Sequence, residues 1–104
     1  MVNFLKKLFG LKPGPDLGAL IAGGATIIDV RTKGEYQGGH LKKSLNLPLD
    51  TLPAGLGKLD KTRPVITCCA SGMRSAAARG ILQKQGFSEV YNGGSWLRLR
   101  QFEA

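Results

Sequence analysis

At 104 residues the chain is one domain, and its 42% hydrophobic and 21% charged residues are the balance of a globular protein, one able to bury roughly two thirds of its unfolded surface. Fifteen basic against seven acidic residues leave a net charge of +8, which suits a small anion, nucleic acid or an acidic protein. The basic residues are scattered, however, with Lys6-Lys7, Lys42-Lys43 and Arg98/Arg100 far apart and no aromatic ladder between them, so nucleic-acid binding is not expected.

Two adjacent cysteines and a single histidine argue against a disulfide scaffold and against a zinc site. Free thiols favour a reducing compartment, the cytoplasm. No run approaches the roughly 20 apolar residues that span a bilayer. The opening Met1–Gly10 has Lys6-Lys7 inside its apolar run and no cleavage-type tail, so no secretory signal is expected.

Residues 1–15 read as an N-terminal appendage to a domain over 16–104. Phe4, Leu5, Leu8 and Phe9 have helical spacing, and Lys12-Pro13-Gly14-Pro15 ends any helix. Such a segment suits docking on protein, disorder or, less readily, a membrane surface. Asp16 is an N-cap for a short helix through Leu17, Leu20 and Ile21, closed by Gly23-Gly24. Thr26–Val30 reads as a buried strand, and Lys33–Gly38 as a turn or short helix. Ser44–Leu47 alternates as a second strand and stops at Pro48. Leu49–Leu59 is a weak helix containing Pro53, followed by a polar loop over Asp60–Pro64. Val65–Cys68 is the third strand. A better helix runs from about Arg74 to Gln85, with Ala78, Ile81 and Leu82 as its core stripe and Gly86 at its end. Glu89–Asn92 is a fourth strand, ended by Gly93-Gly94, and Ser95 caps a last helix with Trp96, Leu97, Leu99 and Phe102. Strands alternating with helices predict an α/β fold, a central parallel sheet of four to five strands with helices on both faces. Ligands of such sheets bind at the carboxyl ends of strands.

Cys69 lies at such an end, between an apolar run and a helix start. Unpaired N–H groups and the positive end of the helix dipole favour an anion there. They lower a thiol's pKa and make it a nucleophile. The residues thus point to thiolate chemistry on an anionic substrate.

The loop Cys69-Ala70-Ser71-Gly72-Met73-Arg74-Ser75 resembles the Cys-x-x-Gly-x-Arg-Ser active loop of single-domain rhodaneses. Ile28-Asp29-Val30-Arg31, Glu35-Tyr36, Gly39-His40-Leu41, Lys43–Leu49 and Gly86-Phe87 to Gly93-Gly94 with Trp96 are similar to that family's other signatures, in the right order over residues 16–104. The resemblance implies a sulfurtransferase that moves sulfane sulfur from thiosulfate or a related persulfide donor to a thiol, cyanide or protein thiol, with Cys69 as the catalytic nucleophile. Ala70, Ser71, Gly72, Met73, Arg74 and Ser75 would bind the small anionic donor. Asp29, Arg31, Glu35 and His40 would be structural support. No metal or organic cofactor is implied. A thiolate is a soft nucleophile suited to sulfur, and inward loop N–H groups can hold the anionic persulfide. Arg74 is expected to fix the loop by pairing with Asp29 or Glu35 rather than to steer the anion.

Two alternatives stand beside that reading. Counted from Cys68, the spacing is Cys-x5-Arg, that of a phosphatase or arsenate-reductase loop, although Thr67 replaces the histidine usual before that cysteine. The chain can also be read as a non-catalytic rhodanese-like binding module. Adjacency further suggests that Cys68 resolves an oxidised or persulfidated Cys69.

Overall fold

The computed structural model describes residues 15–103, so all of the expected appendage except Pro15 lies outside the described residues. The chain runs α1 (Leu17–Ala22), β1 (Thr26–Asp29), α2 (Lys33–Gln37), β2 (Ser44–Asn46), a 3-10 helix (Leu49–Gly55), β3 (Val65–Cys69), α3 (Met73–Lys84), β4 (Val90–Ser95), α4 (Trp96–Leu99) and a closing 3-10 turn (Arg100–Phe102). The four strands pair in the order β2-β1-β3-β4, and every pair is parallel. The expected α/β architecture is therefore present with four strands.

Branched side chains make the strands and alternate between their faces. On one face Ile28, Val65 and Val90 pack with Ala78 and Leu82 of α3 and with Leu52 and Leu56. On the other face Ile27, Ile66 and Cys68 pack with Leu99, against Leu17, Leu20 and Ile21 of α1 and Trp96 of α4. Truncating a side chain as buried as Leu82 to alanine costs about 2–5 kcal/mol.

The caps follow local chemistry. Asp16 Oδ1 accepts the Ala19 N–H at 2.9 Å and starts α1. Thr32 and Glu35 form a reciprocal capping box on α2. The expected weak helix after Pro48 is a 3-10 helix with Pro53 inside it, since proline cannot supply the N–H an α-helix needs there.

Among the boundaries that differ from the sequence reading, two bear on the site. β3 runs one residue further, so Cys69, rather than Cys68, ends the strand. β4 does not stop at Asn92 but continues through Gly93-Gly94 to Ser95. A side chain at Gly93 would put its Cβ 2.7 Å from Ile66 Cγ2 and 2.9 Å from the Thr67 carbonyl, so these glycines let two backbones approach rather than ending the strand. Pairing shifts there from Thr67↔Asn92 to Cys69↔Ser95, which places one extra residue in β4.

The strand order sets the site. After β1 the chain moves outward to β2, and after β3 it moves the other way to β4. The carboxyl ends of β1 and β3 thus flank the switch point where open parallel sheets hold ligands. Asp29–Arg31 and Cys69 stand at those two ends.

Candidate active site

Cys69 leaves β3 and the chain turns through Ala70-Ser71 to Gly72, whose φ of +106° favours glycine and which opens α3 as its N-cap. Glycine offers no capping side chain. The Cys69 sulfur takes that part: Sγ accepts the Gly72 N–H at 2.9 Å and the Ser75 N–H at 3.4 Å. Ser75 is the third helical residue, the position whose N–H an N-cap side chain ordinarily serves. A sulfur held by these donors at the positive end of a twelve-residue helix is favoured as an anion.

Burial pushes the Cys69 thiol up, but hydrogen bonds from Ser75, Gly72 and Ser71 outweigh it and leave the thiol below its ordinary value. Of the six loop residues expected to bind the donor, Gly72 and Ser75 supply N–H groups to the sulfur at the distances above, and the Ser71 backbone adds to them. Ala70 and Ser71 are exposed loop backbone, and Met73 is 80% exposed at the mouth. Cys69 itself has no exposed surface. The loop encloses the sulfur. A cleft lined by Ile21, Leu41, Lys43 and Phe102 lies against α1 instead, and no residue of the loop lines it.

Arg74 pairs with Glu35 through two bonds, Nη1 to Oε1 at 2.7 Å and Nη2 to Oε2 at 3.0 Å. It joins the start of α3 to α2. The Arg74 guanidinium, with the Thr32 N–H behind it, lowers the Glu35 carboxyl to about 2.

Asp29 is fully buried and is taken entirely by Arg31 and its own turn: Oδ2 accepts Nη2 at 2.8 Å, and Oδ1 accepts the Arg31 N–H at 3.0 Å. Arg31 also donates to the Gly39 carbonyl at 2.7 Å and lies over the Trp96 ring, 4.5 Å from its centroid. The two residues lock the end of β1. His40 stacks on Tyr36 with ring centroids 3.7 Å apart, and its Nδ1 meets the Tyr36 carbonyl at 2.7 Å. It stands just past α2's end and does not hydrogen-bond Cys69.

Cys68 and Cys69 point to opposite faces of the sheet. Burial, with the nearby Asp29 charge, pushes the Cys68 thiol up to about 12. Burial on the face away from the loop thus disfavours Cys68 as a thiolate, whether as phosphatase nucleophile or as resolving thiol.

Sequence reasoning passed over Asn92 and Thr67. Thr67 Oγ1 donates to the Ser75 carbonyl at 2.8 Å and anchors the first turn of α3. Asn92 Oδ1 lies 2.6 Å from Ser75 Oγ and accepts the Gly94 N–H at 2.9 Å, and its Nδ2 donates to the Gly72 carbonyl at 3.2 Å. An amide directly before a Gly-Gly pair at a strand's carboxyl end was the one signal available.

Comparison with known proteins is consistent with this geometry. The family model described as rhodanese-like domain matches residues 15–95. The Bacillus subtilis protein YqhL is 37% identical over 68 residues, 65% of this chain and 54% of that protein. Thiosulfate sulfurtransferase GlpE of Stutzerimonas stutzeri is 38% identical over 69 residues, 66% of this chain and 63% of that one. The chain thus matches less than two thirds of the length of either relative. A sulfurtransferase of Allochromatium vinosum is 36% identical over 76 residues, 69% of this chain and 71% of that one. Among solved structures, one titled rhodanese with anions from E. coli superposes with a TM-score of 0.64 at 30% identity, over 72% of this chain and 91% of that one. The human single-domain sulfurtransferase TSTD1 shares the fold, with a TM-score of 0.74 over 86% of this chain and 94% of that one at 24% identity.

Proposed function

The chain belongs to the rhodanese-like domain family, and from that premise we propose that it is a sulfurtransferase working through a persulfide on Cys69. One observation carries the reading: Cys69 Sγ, and not Cys68 Sγ, is the sulfur that accepts backbone N–H groups at the start of α3.

The Cys69 thiolate attacks the outer sulfur of thiosulfate. A Cys69 Sγ–S bond forms, the S–S bond of the donor breaks, and sulfite leaves with the electron pair. The product is a persulfide whose charge sits on the outer sulfur. Cyanide or a thiolate then attacks that outer sulfur, takes it away, and returns Cys69 as thiolate. The Gly72 and Ser75 N–H groups hold the charge on Cys69 at both ends of the cycle. Arg74, occupied by Glu35, keeps the loop in register. Atoms and electrons balance without a cofactor.

Donor and acceptor are a small anionic sulfur compound and a thiophilic acceptor. The names of the GlpE relatives favour thiosulfate. A free, activated thiol suits a reducing compartment, which favours the cytoplasm. Among the described residues no helix is long and apolar enough to cross a membrane.

Turnover of Cys69→Ser and Cys68→Ser with thiosulfate and cyanide, and with an aryl phosphate, tests the reading. Cys69→Ser should abolish sulfur transfer with the fold kept, and Cys68→Ser should leave most of it. Phosphate hydrolysis lost on Cys68→Ser would assign the loop to the other chemistry.

A further inference from the structure

We propose that Asn92 is a positioning residue: it draws the Ser75 hydroxyl proton away from Cys69 in the resting loop and yields it when the thiolate forms. The purpose of this arrangement rests on the sulfur-transfer reading above, but the geometry does not.

A serine hydroxyl has one proton to give. Two acceptors face Ser75 Oγ, Asn92 Oδ1 at 2.6 Å and the Gly72 carbonyl at 3.1 Å, while Cys69 Sγ lies 3.4 Å away and donates to the hydroxyl as a thiol. The shortest is Asn92. Its amide cannot be turned over. The Gly94 N–H donates to Oδ1, and Nδ2 donates to the Gly72 carbonyl. A flipped amide would set two donors against each other at Gly94 and two acceptors at Gly72. Oδ1 therefore faces Ser75 and accepts its O–H.

The direction of the Ser75 proton then depends on the charge of the sulfur. While Cys69 is a thiol, its S–H faces the lone pairs of Ser75 Oγ. Donation runs from Cys69 to Ser75 to Asn92, an order that favours the neutral thiol. When Cys69 is a thiolate it can only accept. The Ser75 O–H turns to the sulfur, and Asn92 Oδ1 keeps its bond to Gly94. As the persulfide forms, charge moves to the outer sulfur and the hydroxyl is released to Asn92 again. The Ser75 hydroxyl bond to the sulfur is thus contested, with Asn92 Oδ1 the nearer competitor and the Gly72 carbonyl the other.

The other charged and titratable groups around the sulfur leave this contest alone. Arg74 of α3 is paired with Glu35 of α2. Asp29 and Arg31 at the end of β1 are paired with each other. Cys68 lies on the opposite face of β3. None of them hydrogen-bonds Ser75 Oγ or the Asn92 amide. Asn92 is exposed on β4, so its replacement does not open the core.

The test is the pH dependence of iodoacetamide alkylation of Cys69 in the full chain, with the label assigned by peptide mass. The variants are Asn92→Ala, Ser75→Ala and both together. Below the wild-type midpoint, Asn92→Ala should react about tenfold faster and Ser75→Ala about tenfold slower, the size of one hydrogen bond to a charged group. The double variant should match Ser75→Ala, because without the hydroxyl there is nothing for Asn92 to direct. The midpoint is the readout, since a loosened loop raises the plateau rate and, by turning N–H groups from the sulfur, raises the midpoint, opposite to the shift expected of Asn92→Ala. Asn92→Val, which suits a strand and also removes the acceptor, repeats the test should the alanine variant fold poorly. An unchanged or raised midpoint in the Asn92 variants would overturn the proposal. So would an equal shift in the Ser75→Ala background. Wild-type turnover with thiosulfate and cyanide, run in parallel, judges the sulfur-transfer reading separately.

Discussion

Replacing Gly72 by alanine separates a loop that merely connects from one that holds charge. Gly72 sits at φ +106°, ψ −10°, and its N–H is 2.9 Å from Cys69 Sγ. An L-residue held in a left-handed conformation costs about 1–2 kcal/mol. The new Cβ would stand 3.4 Å from Gly94 Cα, close to ordinary contact, so strain in φ dominates. Alanine also restricts the unfolded chain, which offsets about 0.4–1 kcal/mol. The net stability loss is therefore about 1 kcal/mol. Activity should fall further. A backbone that relaxes toward negative φ turns this N–H away from the sulfur. A hydrogen bond to a charged group is worth about 1.5–3 kcal/mol, or about 10- to 150-fold in rate. Urea unfolding should show a small midpoint shift, kcat/KM for thiosulfate should drop about 10- to 100-fold, and the pH midpoint of Cys69 alkylation should rise. Wild-type activity with an unchanged alkylation midpoint would refute the reasoning.

The remaining predictions concern the groups around the loop. If Arg74 fixes the loop through Glu35, then Glu35→Gln and Arg74→Ala should lower kcat/KM alike; if Arg74 instead steers the anion, Glu35→Gln should leave the rate unchanged or raise it. Because Glu35 is lowered from 4.5 to about 2 in the folded chain, its contribution to stability is present above pH 4.5 and lost as the pH falls through 2; thermal melts across that window should show a shallower acid slope in Arg74→Ala. Iodoacetamide at pH 8 should label Cys69 and spare Cys68 in the folded chain, with no Cys68–Cys69 disulfide under mild oxidation, since the two side chains leave β3 on opposite faces; a Cys68 adduct from folded protein would contradict this placement. Asp29→Asn leaves the buried Arg31 charge without its partner and should cost about 3–5 kcal/mol, measured by urea unfolding.

Much of the architecture could be read from pattern alone. Ile27-Ile28 and Val65-Ile66 announced their strands, and Asp16 its helix, because burial period and capping are local properties. The nucleophile was legible for the same reason: a thiol between a strand and a glycine-led helix start is defined by its immediate neighbours. What was hidden depended on pairs distant in sequence. Arg74 had two candidate carboxylates, and only the fold brings Glu35 to it across 39 positions while committing Asp29 to Arg31. Gly93-Gly94 read as a strand stop, because close packing of β4 on Ile66 and Thr67 is invisible in a linear pattern. Asn92 lay within the expected strand, but its contact with Ser75, 17 positions away, exists only in the fold, so the residue that contests the Ser75 hydroxyl was passed over.

The central claim meets its most direct test in the mass of the protein after brief exposure to thiosulfate. The mass should rise by one sulfur atom, located on the Cys69 peptide and removed by cyanide. No added sulfur, or a sulfur carried by Cys68, would contradict it.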